Sequence, residues 1–158
     1  TYVKSYGGSY TRASKVTLSQ IDASLQPRLQ AQQILDNLIS LEEQVMSKLI
    51  PLDQCQLGRH LDLTQTESLI RIHQANLDRY YRMSYDNDYY ISQLTTAAKT
   101  VGQSNSFATL ALTDQILNAP AAQQFLATAQ TEQAINQTTL TSLIGNLQNQ
   151  LTQCQSGI

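Results

Sequence analysis

The sequence predicts an all-α fold, an elongated antiparallel three-helix bundle with a short extra helix. Three observations predict it. Apolar residues recur every three or four positions through most of the 158 residues. Residue types that start and stop helices punctuate those runs. Strand-like alternation and an internal repeat of fixed period are not evident. At this length a single domain buries roughly 68–70 % of the surface its unfolded chain exposes, enough for a core without metal support.

Residues 1–13 (TYVKSYGGSYTRA) combine two glycines and three tyrosines with little aliphatic content. They read as a flexible N-terminal arm, ordered only by docking, ahead of a bundle domain over 14–158. The first helical pattern spans residues 16–50 through Leu18, Ile21, Leu25, Leu29, Leu35, Leu38, Leu41, Val45 and Leu49, with one gap after Leu29. Pro27 either kinks one long helix or opens a second. Pro51 is expected to end it, leaving 51–63 as a connection. Thr64-Gln65-Thr66-Glu67 fits a capping box. A second helix follows over 64–101, about 57 Å at 1.5 Å per residue, with the stripe Leu69, Ile70, His73, Leu77, Tyr80, Tyr81, Ile91, Leu94, Ala98 and Val101. The poor helix formers at 84–88 are expected to bend or break it, and Gly102 to stop it. Residues 103–106 read as a loop, and 107–117 as the short extra helix. Asn118-Ala119-Pro120 restarts a last helix over 121–153, because proline is tolerated in a first turn. Its end carries the seam Leu140, Ile144, Leu147, Leu151 and Cys154, in heptad rhythm. Upstream the seam falls on Gln130, Gln133 and Gln137, so it weakens or changes face.

Short connections between antiparallel helices bring Cys55 and Cys154 to the same end of the bundle. A disulfide between them closes a loop of about 100 residues, which the chain-entropy model values at roughly 4–5 kcal/mol. It implies an oxidising compartment, periplasm or cell exterior; two reduced, buried thiols are the alternative. A signal peptide is lost from a mature chain, so its absence does not argue for the cytosol.

Charged residues are 14 % of the chain and the net charge is −2, against about 25 % charged in ordinary domains. After Lys99 there is no basic residue, and the only acids are Asp114 and Glu132. Gln, Asn, Ser and Thr solubilise the helices instead, as in exported bacterial proteins and in surfaces that meet other protein. No basic field is available to attract nucleic acid, and no apolar run is long enough to span a membrane.

Catalytic and metal motifs are missing: no phosphate-binding glycine loop, no nucleophile elbow, no zinc spacing around Cys55, Cys154, His60 or His73. His73 is expected at the core edge. Glu42 and Glu43 point about 100° apart and share no pair. Asp86-Asn87-Asp88 lacks the glycine and distal Glu of an EF-hand, and Asn136-Gln137-Thr138 is a glycosylation sequon by chance. The chain therefore reads as non-enzymatic, with no catalytic residue, metal or cofactor.

The informative cluster is aromatic. Tyr80, Tyr81, Tyr85, Tyr89 and Tyr90 lie within eleven residues, with Arg79 and Arg82 interleaved. Tyr81, Tyr85 and Tyr89 share a face if the helix is continuous, and Tyr2, Tyr6 and Tyr10 repeat the spacing of four in the arm. Tyrosine and arginine are enriched at protein interfaces, so these residues are candidate partner contacts. The other reading is an intramolecular cover of a helix bend.

The long helices, the Gln-rich stepped end from Gln130-Thr131-Glu132-Gln133 to Leu147-Gln148-Asn149-Gln150-Leu151, and the early Leu29-Gln30-Ala31-Gln32-Gln33-Ile34-Leu35 resemble the minor pilin family of type IV secretion and conjugation systems, the TrbJ-like pilus-tip proteins. The resemblance covers most of the chain in style and architecture and rests on no invariant motif. It implies an exported helical component of a bacterial secretion or pilus assembly, contacting other subunits or a second copy at or near a pilus tip. A secreted or surface helical adhesin or receptor-like binding domain is the alternative.

Overall fold

A computed structural model describes the backbone of residues 2–4, 10–103 and 107–157, and the side chains of 16–102 and 114–157. Among the described residues the chain forms strands β1 (Tyr2–Lys4) and β2 (Tyr10–Thr17), helices α1 (Leu18–Gly58) and α2 (Thr64–Gln103), strand β3 (Phe107–Thr113) and helix α3 (Ala119–Ser156). Three long helices packed on one another make it an all-α bundle, as expected.

The strands correct two expectations. Residues 107–113, most of the 107–117 stretch read as the short extra helix, are β3, and much of the expected arm is β1 and the start of β2. The sheet order is β1-β2-β3, antiparallel throughout, with Lys4 opposite Tyr10, Thr11 opposite Thr113 and Thr17 opposite Phe107. Eleven residues, 107–117, are short for an independent helix. Thr109-Leu110-Ala111-Leu112-Thr113 alternates in residue type with period two, a strand signal that helix spacing at Leu110 and Leu117 obscures.

Helix α1 runs unbroken through Pro27 and Pro51. Each proline removes one backbone donor, but Leu49 and Leu52 on either side of Pro51 are fully buried, so packing holds the helix past the expected stop. It ends instead at a Schellman turn. The Leu61 amide donates to the Gln56 carbonyl at 2.9 Å and the His60 amide to Leu57 at 3.1 Å, with His60 at a left-handed φ of 58°.

The start of α1 is a reciprocal capping box. The Gln20 amide donates to Thr17 Oγ1 at 3.2 Å and the Thr17 amide to Gln20 Oε1 at 2.9 Å. The box expected at Thr64 does not form. The Thr64 hydroxyl and amide both donate to Asp62 Oδ1, and these bonds hold the Asp62 carboxyl below its usual range. Asn118 caps α3 through the Ala121 amide at 3.0 Å, with Pro120 in the first turn, as the sequence predicts. Helix α2 continues through residues 84–88 without a break.

The chain divides into two compact units, residues 1–33 with 85–130 and residues 34–84 with 131–158. The core of the first unit is Val16, Ile21, Leu25, Leu94, Ala97, Val101 and Ile116. Fully burying a Val, Leu or Ile side chain stabilises by about 1.5–3 kcal/mol. In the second unit α1 and α2 are antiparallel, with Gln56 against Thr66 and Glu42 against His73. The seam of α3 is buried at Leu140, Leu147, Leu151 and Cys154. Cys55 and Cys154 form a disulfide there, Cα atoms 6.3 Å apart across a sequence separation of 99. Arg59 Nη1 donates to the Cys154 carbonyl at 2.6 Å, a cationic cap on the end of α3.

Candidate functional site

The tyrosines divide by the face of α2 they occupy. In the second unit Tyr80 is fully buried, which removes it from the partner-contact set. Its hydroxyl donates to Glu132 Oε2 at 3.1 Å and accepts from Asn136 Nδ2 at 3.0 Å. Burial, then the Glu132 carboxylate, pushes the Tyr80 phenol up to about 12. Arg79 pairs with Glu132 Oε1 and stacks over the Tyr80 ring at 4.8 Å; the bond to Glu132 raises the guanidinium further. Arg79 is thus committed within the chain. Tyr81 is half-exposed and donates to Glu43 Oε2 at 2.7 Å, a bond that raises its phenol. Arg82 is exposed.

In the first unit, α2 presents Tyr85 and Tyr89 outward, 79 % and 56 % exposed. With Asp86 and Tyr90 they line an open concavity of about 330 Å³. Tyr89 meets Tyr90 edge-on, ring centres 5.8 Å apart, a favourable aromatic geometry. Tyr90 is half-buried against the apolar core. The guanidinium of Arg28 lies 4.0 Å from the Tyr90 ring centre and 5.5 Å from that of Phe125. Arg28 Nη1 donates to Asn87 Oδ1 at 3.1 Å, and Asn87 Nδ2 donates back to the Arg28 carbonyl at 2.9 Å. Burial lowers the Arg28 pKa, against a smaller opposing effect of Tyr90.

No family model, curated protein or solved structure matches the chain.

Of the arm tyrosines, Tyr2 lies in β1 and Tyr10 in β2, while Tyr6 lies outside the described residues. His73, expected at the core edge, is buried, with Nδ1 2.7 Å from Oε1 of the fully buried Glu42. A groove of about 540 Å³ opens beside it, lined by Leu69, Thr138, Ser142 and Leu143 among others. Among the described residues no group of three or more His, Cys, Asp or Glu side chains gathers as a metal site, and no helix is long and apolar enough to cross a membrane.

Sequence reasoning missed Arg28, Glu42 and Asn87 as buried polar groups, and Glu132 and Asn136 as the half-buried partners of Tyr80. A signal existed for two of them. Arg28 lies three residues after Leu25 and seven before Leu35, on the buried face that the exposed Leu29 leaves, and Asn87 lies seven residues from both Tyr80 and Leu94, two turns along the same face.

Proposed function

We propose that this chain is a non-enzymatic, exported helical component of a bacterial type IV secretion or conjugative pilus assembly, minor pilin-like, working by protein–protein contact. The observation that carries the reading is the outward pair Tyr85 and Tyr89 on a continuous α2. Large, rigid aromatic rings with a polar end are the residue type that interfaces favour. The Cys55–Cys154 disulfide supports the periplasm or cell exterior as the working compartment. The low-charge polar surface of α3, rich in Gln, Asn and Thr, supports assembly with other subunits or a second copy.

The test is cross-linked capture from a bacterial envelope fraction, comparing the full chain with a Tyr85→Ala/Tyr89→Ala variant. A specific subunit captured by the parent chain and lost from the variant, with an unchanged far-UV helical signal, is the expected result. A strictly monomeric protein that captures no subunit overturns the reading.

A further inference from the structure

We propose that the cup formed by Tyr85, Asp86 and Tyr89 on α2 receives an arginine side chain presented by a partner protein; this rests on the contact reading above. The spacing builds the cup. Tyr85 and Tyr89 stand four residues apart on one face, and Asp86, three before Tyr89, lines the same concavity. Together with Tyr90 they enclose the open concavity of about 330 Å³. The edge contact with Tyr90 holds Tyr89 in place. Among the described residues Asp86 has no ion pair and Tyr85 no hydrogen bond, so both are available to a ligand.

The same turn of α2 already holds one guanidinium on its inner side. Arg28 stacks on Tyr90 at 4.0 Å and donates to Asn87 Oδ1. The outer side offers aromatic rings and an oxygen acceptor, with the Asp86 carboxylate where the inner site has the Asn87 amide. A full negative charge suits a cation that arrives from water rather than one folded in with the core. Over residues 82–98 the charged residues are Arg82, Asp86 and Asp88, one positive against two negative, a balance that favours a cation over phosphate. Arginine fits better than lysine, because its planar group stacks on a ring while its fork meets a carboxylate.

The test titrates N-acetyl-arginine amide into the full chain carrying ¹³C-labelled tyrosine rings, with N-acetyl-citrulline amide as the uncharged match. Saturable shifts of the Tyr85 and Tyr89 resonances are expected with arginine and weaker binding, by about five-fold or more, with citrulline. Asp86→Asn should lose about as much, and Asp88→Asn less than about two-fold. Equal binding of the two probes, no saturable shift, or full binding by Asp86→Asn overturns the proposal. Subunit capture separates the two levels. Capture lost with Tyr85→Ala/Tyr89→Ala but undiminished with Asp86→Asn overturns the arginine assignment and leaves the contact reading standing; capture retained by both variants overturns both.

Discussion

Arg28 in one unit and Glu42 in the other are both buried ionisable side chains, held by opposite means. Glu42 faces an ionisable partner, His73, across 2.7 Å, and its second oxygen has no partner. Arg28 is met by the rings of Tyr90 and Phe125 and the side-chain oxygen of Asn87, and its Nε has no partner. A guanidinium is weakly hydrated and stacks on π faces, so aromatic packing offsets much of its desolvation. A carboxylate has no such option and needs N–H or O–H donors. The units also differ in closure. The second is cross-linked by Cys55–Cys154, whereas the first combines an apolar cluster with its strands.

The largest expected effect breaks the covalent half of that contrast. Cys55→Ser/Cys154→Ser frees the denatured chain from a loop of about 100 residues and should cost ~4–5 kcal/mol in urea unfolding. Hydrogen exchange should quicken first in residues 34–84 and 131–158. A loss under ~1 kcal/mol would mean that packing alone holds this unit.

Next is Glu42→Ala, which strands His73 in the interior and leaves a cavity; the expected loss is ~3–5 kcal/mol. Glu42→Leu with His73→Leu removes both partners, so the double variant should fall within ~1.5 kcal/mol of the parent or exceed it. Thermal and urea unfolding of the three proteins read this directly.

Arg28→Met keeps the bulk on Tyr90 but removes the donor to Asn87. The expected cost is ~1–3 kcal/mol, below that of Glu42→Ala. Equal costs would show that ring faces and one amide hold a charge as firmly as an ionisable partner does.

The smallest effect at neutral pH belongs to Tyr80→Phe, ~1 kcal/mol for one buried hydrogen-bonding group. Its pH signature is sharper. The folded phenol titrates at about 12 against 10.0 for the free group. The neutral form is therefore favoured in the fold, and the stability it contributes is intact below pH 10 and lost as pH climbs toward 12. Urea midpoints from pH 9 to 11.5, with absorbance at 295 nm, should show that decline in the parent and a flatter profile in Tyr80→Phe.

Much of this was legible before folding. The stripes of α1 and α2, the restart at Asn118 and the disulfide partners follow from periodicity, capping chemistry and topology. Pro51 misled because its local penalty is visible in sequence, whereas the packing of Leu49 and Leu52 that outweighs it is not. Strand β3 was hidden because its partner, β2, lies about 95 residues earlier, and pairing across that distance leaves only a faint trace in seven residues. The tyrosine cluster was legible as a group but not by member: Tyr80 and Tyr81 are neighbours in sequence, yet one is sealed inside and the other half-exposed.

The sequence by itself determined that three long helices form and that Cys55 can meet Cys154, because a period near 3.6 and short connections leave few other arrangements. Only the tertiary structure decided which polar residues go inside. Arg28, Glu42, Asn87 and Tyr80 enter the interior because each finds a partner there, Tyr90, His73, Gln32 and Glu132 among them. A side chain's own chemistry sets the cost of burying it, but the opposite helix decides whether that cost is met.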